Sequence, residues 1–473
     1  MKLYNSLTRQ KDEFIPINPP HVGLYTCGPT VYFYPQIGNW RTFVFEDILR
    51  RTLEYNGYEV NHVMNATDVG HLTGDNIGDA DLGEDRMEKA AKSENKTAWD
   101  IADFYIKDFI DSRQKLNIIA PTHFMRATDY IPEQIDLIKR LEVKGLTYTT
   151  KSGVYFDVAK WPEYGKLGGQ KLVDKRVATR EELVEDPEKR HPYDFALWKF
   201  SPTDVKRQME WESPWGRGFP GWHIECSAMS MKYLGESFDI HTGGIDHIAI
   251  HHANEIAQSE GATGKQFAKY WLHAAFLQVD GGRMGKSLGN AYTLADIVAK
   301  GFSPLALRYF YLTAHYRKPL NFTWEALQSA AQSLDNLINR LQTPVAAHVD
   351  LTSSEVASYK ARFVEAISDD FNMPQALAVV QELVSKHSGA ETIKLILDFD
   401  RVLGLGLHER HDVKVEIPVE VASLLKEREQ ARSQKDFRRS DELRDEIKKL
   451  GFEVKDTTDG QQIHAHDYTK KIL

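Results

Sequence analysis

The sequence predicts an α/β protein with a Rossmann-type parallel-sheet domain that carries an insertion, followed by an all-α C-terminal domain and a small tail module. Three observations support this class. Strand-forming and helix-forming patterns alternate up to Gly289, short strand-forming pieces and charged loops interrupt them, and helical patterns dominate after Ser303. Alternating strands and helices are typical of a parallel sheet with helices on its faces.

Length and charge set the scale of the protein. The chain has 473 residues, which at roughly 100–200 residues per domain indicates about two to four domains. Hydrophobic residues make up 42% and charged residues 27%, which argues against a disordered or fibrous chain. The net charge is −9, from 59 basic and 68 acidic residues, so a nucleic acid would have to bind local basic patches.

Cysteine content and hydropathy favour the cytoplasm as the location. Only two cysteines are present, Cys27 and Cys226, which excludes a disulfide-rich secreted scaffold. The first residues, MKLYNSLTRQKDEF, lack the apolar core and cleavage site of a secretory signal. No run of eighteen apolar residues occurs, so we expect no membrane span.

The first elements predict a strand–helix–strand unit. A strand-forming run over Val22–Thr26 precedes a helical pattern over Thr42–Tyr55, and a second strand-forming run covers Glu59–Met64. Ligands of parallel sheets bind beyond the carboxyl ends of strands, where Gly28 and Thr67 fall. On position alone, both residues also fit ordinary turns.

The middle of the chain continues the alternation around an insertion. A polar, Gly-rich stretch from Gly70 to Asn95 predicts a loop, and a helical pattern follows from Ala98 to Leu116. The segment from Lys144 to Phe200, with strand-forming residues at Gly153–Asp157, is interpreted as an insertion between two halves of the sheet. The alternation resumes over Gly218–Gly289.

The last third is predicted to be helical. Helical patterns run from Ser303 to about Leu407, and the charged segment Arg428–Lys449 has nearly balanced signs, which is typical of a solvated helix. We therefore expect two halves of one sheet domain separated by an insertion, then a helical domain and a tail module: residues 1–120, 121–205, 206–302, 303–410 and 411–473.

Four residues form a candidate metal site. Cys226 is followed 25 residues later by His251 and 29 residues later by Glu255. His251 and Glu255 would share one face of a helix, and thiolate, imidazole and carboxylate are the usual zinc ligands. Cys27 would be the fourth ligand, and His252 is an alternative to His251. The spacing matches no compact zinc signature and by itself favours two buried free thiols and a helix with surface polar residues.

Two further segments have residue types suited to a nucleotide. Pro35–Asn39 leads into a helix, and a glycine near a helix N-terminus lets phosphate approach backbone N–H groups. Gly282–Asn290 is a Gly-rich loop that contains Lys286, whose ammonium can neutralise charge that develops on phosphate. Each segment alone is a common pattern.

Together these two segments resemble the HIGH and KMSKS signatures of class I aminoacyl-tRNA synthetases. Four other segments are similar to cysteinyl-tRNA synthetases: CGPTVY at Cys27–Tyr32, GWHIECSAMS at Gly221–Ser230, FDIHTGGIDH at Phe238–His247 and HHANEIAQSE at His251–Glu260. The tail around Ala431–Asp441 resembles the same family. The resemblance covers nearly the whole chain.

The resemblance implies roles for particular residues. One zinc ion would be bound by four ligands: Cys27, Cys226, His251 and Glu255. The cysteine substrate would be surrounded by four residues: Gly28, Thr67, Trp222 and Asp246. ATP would be bound by the two signatures: Gln36, Gly38, Asn39, Arg283, Lys286 and Ser287. Three of these would be catalytic: Gln36, Asn39 and Lys286.

The resemblance also implies a reaction. Cysteine would be activated with ATP and magnesium to cysteinyl-adenylate and transferred to the 3′ end of tRNA(Cys). The enzyme would be a monomer in the cytoplasm. Zinc would select the substrate thiolate over serine, because a hydrophobic pocket separates near-isosteres poorly. Asp246 would pair with the substrate ammonium group, and Trp222 would close over the side chain.

The sequence departs from the family pattern in places. Gln36 and Asn39 stand where the first signature has histidines, and their amides carry no positive charge. Arg283 replaces the first lysine of the second signature and Gly285 replaces its serine, while Thr242 stands where the family usually has glycine. These changes bear on the rate of adenylation more than on the fold.

Other functions are considered beside this one. A cysteine ligase that passes cysteine to an amino sugar would use the same site, but about 170 residues after Ser303 favour a tRNA acceptor. A binding protein without catalysis is supported only by Gln36 and Asn39. Candidate tRNA contacts are basic and aromatic residues of the last third: Arg308, Arg317, Lys318, Trp324, Arg432, Lys435, Phe437, Arg438 and Arg439.

Overall fold

The computed structural model describes most of the chain in nine stretches: residues 1–71, 85–169, 188–202, 206–285, 288–342, 348–411, 418–450, 452–457 and 460–465. No helix within these stretches is long and apolar enough to cross a membrane. The chain forms two compact units. The first consists of Met1–Asp296, Tyr311–Phe322 and Val364–Gln375, and the second of Ile297–Phe310, Thr323–Phe363 and Ala376–Leu473.

Strands and helices alternate in the first part of the chain. In order, the elements are β1 (Lys2–Asn5), β2 (Gln10–Glu13), β3 (His21–Thr26), α1 (Ile37–Tyr55), β4 (Glu59–Ala66), α2 (Arg86–Glu94), α3 (Ala98–Lys115), β5 (His123–Arg126), α4 (Ile131–Val143), β6 (Thr147–Thr149), β7 (Gly153–Phe156), β8 (Phe195–Phe200), β9 (Gly218–Pro220), α5 (Trp222–Leu234), β10 (Phe238–Gly244), α6 (His251–Thr263) and β11 (Ala268–Ala274).

Helices dominate the remainder. These elements are β12 (Leu277–Val279), β13 (Gly282–Arg283), α7 (Leu294–Ala299), α8 (Pro304–Leu312), β14 (Leu320–Phe322), α9 (Trp324–Gln342), α10 (Ser353–Ser368), α11 (Met373–Lys386), α12 (Ala390–Leu403), α13 (Leu407–His411), α14 (Val419–Ser433), α15 (Phe437–Lys449), β15 (Phe452–Thr457) and β16 (Gly460–Ala465). The predicted fold class is confirmed.

A five-stranded parallel sheet organises the first unit, with strand order β11-β10-β3-β4-β5. β3 lies between β4 and β10, so Thr26 is paired with Met64 on one side and with Thr242 on the other. Both predicted strands are present, and α1 begins at Ile37, five residues before the predicted start. The sheet therefore brings Cys27, directly after β3, next to the end of β10.

The stretch predicted as a loop contains a helix. α2 begins after Asp85, whose carboxylate accepts hydrogen bonds from the backbone N–H groups of Met87 and Glu88. Met87 and Ala91 lie one turn apart on this helix and are buried. The loop prediction was wrong for α2 because these two apolar positions are too few to stand out among charged residues. The rest of the loop prediction, residues 72–84, lies outside the described residues.

The insertion forms its own antiparallel sheet, with strand order β6-β7-β8-β9. The strand expected at Gly153–Asp157 is β7. Phe156 and Phe195 stack with ring centroids 5.0 Å apart in a cluster that also contains Ile224 and Ala257. The insertion sheet thus packs on α5 and α6, two helices that follow it in the chain.

The structure of the second unit differs from two predictions made from the sequence. Arg308 is fully buried and donates from Nε to the carbonyl oxygen of Leu403 at 2.8 Å, so its guanidinium is used inside the unit. The segment Arg428–Lys449 is not one helix, because Lys435 has φ +64° and Asp436 caps a new helix by accepting from the N–H of Arg439. The hairpin β15–β16 follows this helix pair.

Buried Glu46 makes the stability of the first unit depend on pH. Thr242 donates to Glu46 Oε1 at 2.8 Å, while Oε2 has no hydrogen-bond partner within the described stretches. Burial raises the pKa of Glu46 from 4.5 to about 8, although the Thr242 hydrogen bond opposes the rise. Between these two values the folded chain holds a proton that the unfolded chain releases, so the free energy of unfolding falls as the pH increases.

We expect Glu46→Gln to gain stability relative to the wild type between pH 5.5 and pH 8, by at most about 1.4 kcal/mol per pH unit. Chemical denaturation at both pH values measures the difference. Glu13→Gln, the same substitution at an exposed position of β2, is the control. An equal response of both variants to pH would contradict the burial argument.

Candidate active site and metal centre

A cavity of about 660 Å³ opens at the carboxyl ends of β3, β4 and β10. Among the described residues, eleven of the predicted site residues line it: Cys27, Gly28, Gln36, Gly38, Asn39, Thr67, Trp222, Cys226, Asp246, His251 and Arg283. Glu255 is fully buried behind His251 on α6. Lys286 and Ser287 lie outside the described residues. The sheet thus gathers residues that are far apart in the sequence around one space.

The four predicted metal ligands lie together. One ligand atom from each of Cys27, Cys226, His251 and Glu255 is within 4.8 Å of the other three, and all four residues are buried. Nε2 of His251 is 3.6 Å from Cys226 Sγ and 2.8 Å from Glu255 Oε1. Cys226 comes from the second turn of α5 and His251 begins α6, so two packed helices and the β3 loop supply the ligands.

The donor set fits a metal ion. Glu255 Oε1 lies 2.8 Å from His251 Nε2 and has no hydrogen-bond partner among the described residues. A buried carboxylate oxygen that is left without a hydrogen bond among other donor atoms is costly unless a cation lies beside it. Two sulfur donors, one nitrogen and one oxygen are a donor set of the kind that would hold zinc.

Other side chains orient these ligands. His241 Nε2 lies 2.7 Å from Glu255 Oε2, and His223 Nδ1 lies 2.8 Å from Nδ1 of His251. Neighbours of this kind fix the orientation of ligands in metal sites. His252, the alternative ligand, is 3.4 Å from Cys27 Sγ and belongs to a second group of candidate ligands, Cys27, His241, His252 and Glu255.

Burial and neighbouring charges shift the pKa values of the ligand side chains in this cluster. Burial alone would lower the pKa of His251, but the Glu255 carboxylate and the Cys226 thiol raise it to about 10. Burial favours the neutral form of Glu255, yet His241 and His251 hold the pKa of this carboxyl below its ordinary value. Burial raises the pKa of Cys27. A bound cation would favour the thiolate instead.

Backbone and amide groups shape the wall beside the metal ligands. Gly28 N–H donates to Asn65 Oδ1 at 2.9 Å, and Asn65 Nδ2 donates to Thr67 Oγ1 at 3.1 Å. A Cβ atom on Gly28 would lie 1.6 Å from the carbonyl oxygen of Asn65, so only glycine fits there. Asn65 was not predicted from the sequence, although its polar side chain at the end of a strand was a usable signal.

Trp222 and Asp246 both line the cavity that the metal ligands face. Trp222 is the first residue of α5, and its ring centroid is 4.9 Å from that of His251. Asp246 follows β10 and is exposed to the cavity. A Cβ atom on Gly244 would lie 2.3 Å from Asp246 Oδ1, so glycine lets this carboxylate approach the backbone. The cavity therefore has an aromatic wall and an anionic one.

The first nucleotide segment starts α1 and touches the second. Asn39 Oδ1 accepts from the backbone N–H of Gln36 at 2.9 Å, which satisfies a free donor at the start of the helix. A Cβ atom on Gly38 would lie 2.6 Å from Cε of Met284, one residue after Arg283. The two predicted nucleotide segments therefore meet at the cavity, and the Asn39 side chain also has a structural use at the start of α1.

Comparison with protein families identifies matches over most of the chain. The model of the tRNA synthetases class I (C) catalytic domain matches residues 13–332. The DALR domain matches residues 362–406, and the cysteinyl-tRNA ligase anticodon binding domain matches residues 414–463.

Individual proteins are similar as well. A cysteine–tRNA ligase 1 of Burkholderia lata is 48% identical over 466 residues, which is 98% of this chain and 96% of that protein. A cysteine–tRNA ligase of Treponema denticola is 44% identical over 490 residues, covering 96% and 98% of the two chains.

Solved structures share the fold. Mycobacterium tuberculosis methionyl-tRNA synthetase in complex with methionyl-adenylate has a TM-score of 0.55 at 15% identity, covering 89% of this chain and 96% of that one. A LeuRS of Agrobacterium radiobacter K84 has a TM-score of 0.57 at 12% identity, with 84% and 85% covered. From the sequence identity and the catalytic-domain match, the chain belongs to the cysteine–tRNA ligase family of class I tRNA synthetases.

Proposed function

We propose that this chain is a cysteine–tRNA ligase, which activates L-cysteine with ATP and transfers it to the 3′ end of tRNA(Cys). One observation carries the proposal. The buried Cys27–Cys226–His251–Glu255 cluster opens on the same cavity as the first nucleotide segment, so a sulfur-binding group and an ATP site share one space.

We infer that one zinc ion per chain occupies this cluster. Two thiolates, one imidazole and one carboxylate are ligands that zinc accepts together. When bound, zinc supplies a site for the deprotonated thiol of cysteine, which a serine hydroxyl occupies poorly. The residues around it then have separate tasks. Asp246 and Thr67 accept hydrogen bonds from the α-ammonium group, Gly28 leaves room for the substrate backbone, and Trp222 excludes water.

The adenylation step follows from this placement. The cysteine carboxylate attacks the α-phosphate of ATP, which gives cysteinyl-adenylate and releases pyrophosphate. Gln36 and Asn39 donate hydrogen bonds near the phosphates, and Arg283, Lys286 and Ser287 bind them as negative charge develops. Magnesium accompanies ATP. The protein acts mainly by positioning the two reactants and by stabilising charge.

The transfer step needs tRNA, and we propose that the C-terminal residues bind it. The sequence predicts residues 303–410 as the helical anticodon-binding domain and residues 411–473 as a small tail module, but the anticodon-domain match at 414–463 favours the tail for contact with the anticodon. The catalytic domain would cover residues 1–120 and 206–302 with the insertion at 121–205, except that β5 belongs to the catalytic sheet and β9 to the insertion sheet. The anticodon-domain match at residues 414–463 supports a tRNA acceptor over an amino sugar. We further propose that the protein acts as a monomer, because one chain supplies all four ligands and the nucleotide segments. We propose the cytoplasm as its location, in keeping with its two cysteines.

ATP–pyrophosphate exchange tests the function. We expect exchange that depends on cysteine but not on serine, that disappears after chelation, and that returns when zinc is added. Addition of tRNA(Cys) should then yield acylated tRNA. If zinc-loaded protein exchanges nothing with any amino acid, the ligase reading fails, and a binding protein with the same fold takes its place.

Gln36→His tests the unusual first signature. We expect adenylation to stay equal or to rise by up to about tenfold, because an imidazole can carry positive charge near the phosphates. The exchange rate at saturating cysteine and ATP measures the change. Gln10→His, the same substitution on the exposed strand β2, is the control. A large loss in Gln36→His alone would mean that the site specifically requires the glutamine amide.

A further inference from the structure

Glu225 is a buried carboxylate behind the wall of the cavity, and the proposed reaction leaves it without a task. It lies in the first turn of α5 and is fully buried. Its Oε2 accepts a hydrogen bond from Thr67 Oγ1 at 2.9 Å, and its Oε1 lies 2.6 Å from His71 Nε2. Both oxygens therefore have partners, and one partner lines the cavity.

The hydrogen bond to Glu225 decides whether the Thr67 hydroxyl donates or accepts toward the cavity. A hydroxyl has one hydrogen to donate and two lone pairs to accept with. Thr67 donates its hydrogen to Glu225 and accepts one from Asn65 Nδ2 at 3.1 Å. What remains at Thr67 Oγ1 is one lone pair, so toward the cavity this hydroxyl can only accept. An α-ammonium group can only donate and is the matching partner.

His71 holds Glu225 in the orientation that accepts from Thr67. Nε2 of His71 lies 2.6 Å from Glu225 Oε1, so the other carboxylate oxygen, Oε2, faces the Thr67 hydroxyl. The His71 ring is itself 6.3 Å from the indole of Trp222. The pair thus stands between the Thr67 hydroxyl and the aromatic wall.

We infer that Glu225, held by His71, is a positioning residue that makes Thr67 an acceptor for the α-ammonium group of the amino acid. The inference rests on the proposed function, since it assigns that group to the cavity beside Thr67. It predicts a specific selectivity. Loss of Glu225 weakens ligands that carry an ammonium group and leaves ligands without one unaffected.

Two fragments of cysteine test this selectivity. Cysteamine has the thiol and the ammonium group, and 3-mercaptopropionate has the thiol and the carboxylate. Both are measured as inhibitors of cysteine-dependent ATP–pyrophosphate exchange, with zinc-loaded full-length protein. Glu225→Gln leaves one oxygen for two donors, and when that oxygen accepts from His71 the amide nitrogen faces Thr67 and can only donate to it, which turns the Thr67 hydrogen toward the cavity. The KM for cysteine and the Ki for cysteamine are then expected to rise roughly 10- to 100-fold, as for a lost hydrogen bond to a charged group. The Ki for 3-mercaptopropionate is expected to change less than about twofold.

Three further variants make the test specific. His71→Gln keeps a donor for Glu225 and should retain cysteamine binding, whereas His71→Leu should lose it. Glu225→Gln placed in a Thr67→Val background should have no additional effect, because the hydroxyl it orients is gone. Glu260→Gln removes another buried carboxylate, on α6, which contacts Lys166 and the N–H of Phe267, and should leave both inhibition constants unchanged.

The outcomes separate the inference from the function. If Glu225→Gln weakens both fragments equally, Glu225 is only an anchor between α5 and the segment after β4, and the inference is overturned. If Glu225→Gln does not fold, the comparison of His71→Gln with His71→Leu decides, and equal Ki values for cysteamine overturn it. Absence of cysteine-dependent exchange in the wild type would refute the proposed function instead.

Discussion

Cys226→Ser is expected to lose bound zinc and to lower cysteine-dependent ATP–pyrophosphate exchange by on the order of 10³-fold or more, close to the residual rate with serine. The reason is that the zinc ion, which would bind the substrate thiol, needs all four protein ligands. A serine hydroxyl is not deprotonated at neutral pH and does not replace a thiolate in this buried cluster. Discrimination between cysteine and serine should disappear together with the metal.

Metal content and exchange measured on the same preparation test this expectation. Met229→Leu is the matched control, because Met229 is fully buried on the same helix but supplies no ligand. A volume-conserving swap of this kind usually costs less than about 1.5 kcal/mol. A zinc-free Cys226→Ser protein that still prefers cysteine to serine would show that the cavity walls, and not the metal, select the substrate.

Gly28→Ala should also strongly lower cysteine activation, because the added methyl group clashes with backbone, although it removes no ligand or charged group. The added Cβ would lie 1.6 Å from the carbonyl oxygen of Asn65, so either the loop after β3 or the end of β4 has to move. Overpacking of a rigid site typically costs 1–3 kcal/mol and here involves backbone on both sides. Because Asn65 binds both Gly28 and Thr67, we expect cysteine activation to fall at least about 100-fold.

Thermal unfolding and exchange kinetics together measure this loss. Gly168→Ala is the matched control, since the atom nearest to its added Cβ is 3.7 Å away and the backbone there needs no left-handed conformation. We expect the control to keep both its midpoint of unfolding and its exchange rate. A Gly28→Ala protein with normal activity would mean that the contact with Asn65 relaxes easily, which would contradict the tight wall described above.

Local patterns predicted the elements that carry many apolar residues. β3, β4 and α3 were found at nearly their observed bounds, because their patterns extend over several residues. The same approach failed at α2, where Met87 and Ala91 alone face the core. It also failed where the helix ends after Ser433, since Lys435 adopts a left-handed backbone conformation that is unusual for lysine.

The candidate site was only partly visible in local spacing. The interval between His251 and Glu255 indicated a shared helix face, and α6 confirms that both lie on one helix. Cys27 lies 199 residues before Cys226, so its place beside the cluster depends on the pairing of β3 with β10. No local pattern encodes that pairing, so the residue type of Cys27 alone suggested it as the fourth ligand, and the family resemblance then implied the same residue. Glu225 was missed because a carboxylate on an apolar helix gives no signal until its partners are known.

The position of β3 between β4 and β10 has a consequence for biosynthesis. Cys27 is made early, but the strand that completes its side of the sheet and the helix with His251 and Glu255 follow more than 200 residues later. At about 5–20 residues per second, a nascent chain waits roughly 10 to 45 s before these partners exist. Throughout that interval the first half of the sheet has an open edge at β3. Metal acquisition is therefore a late event in synthesis, and the open edge makes the ribosome-bound chain vulnerable to mispairing.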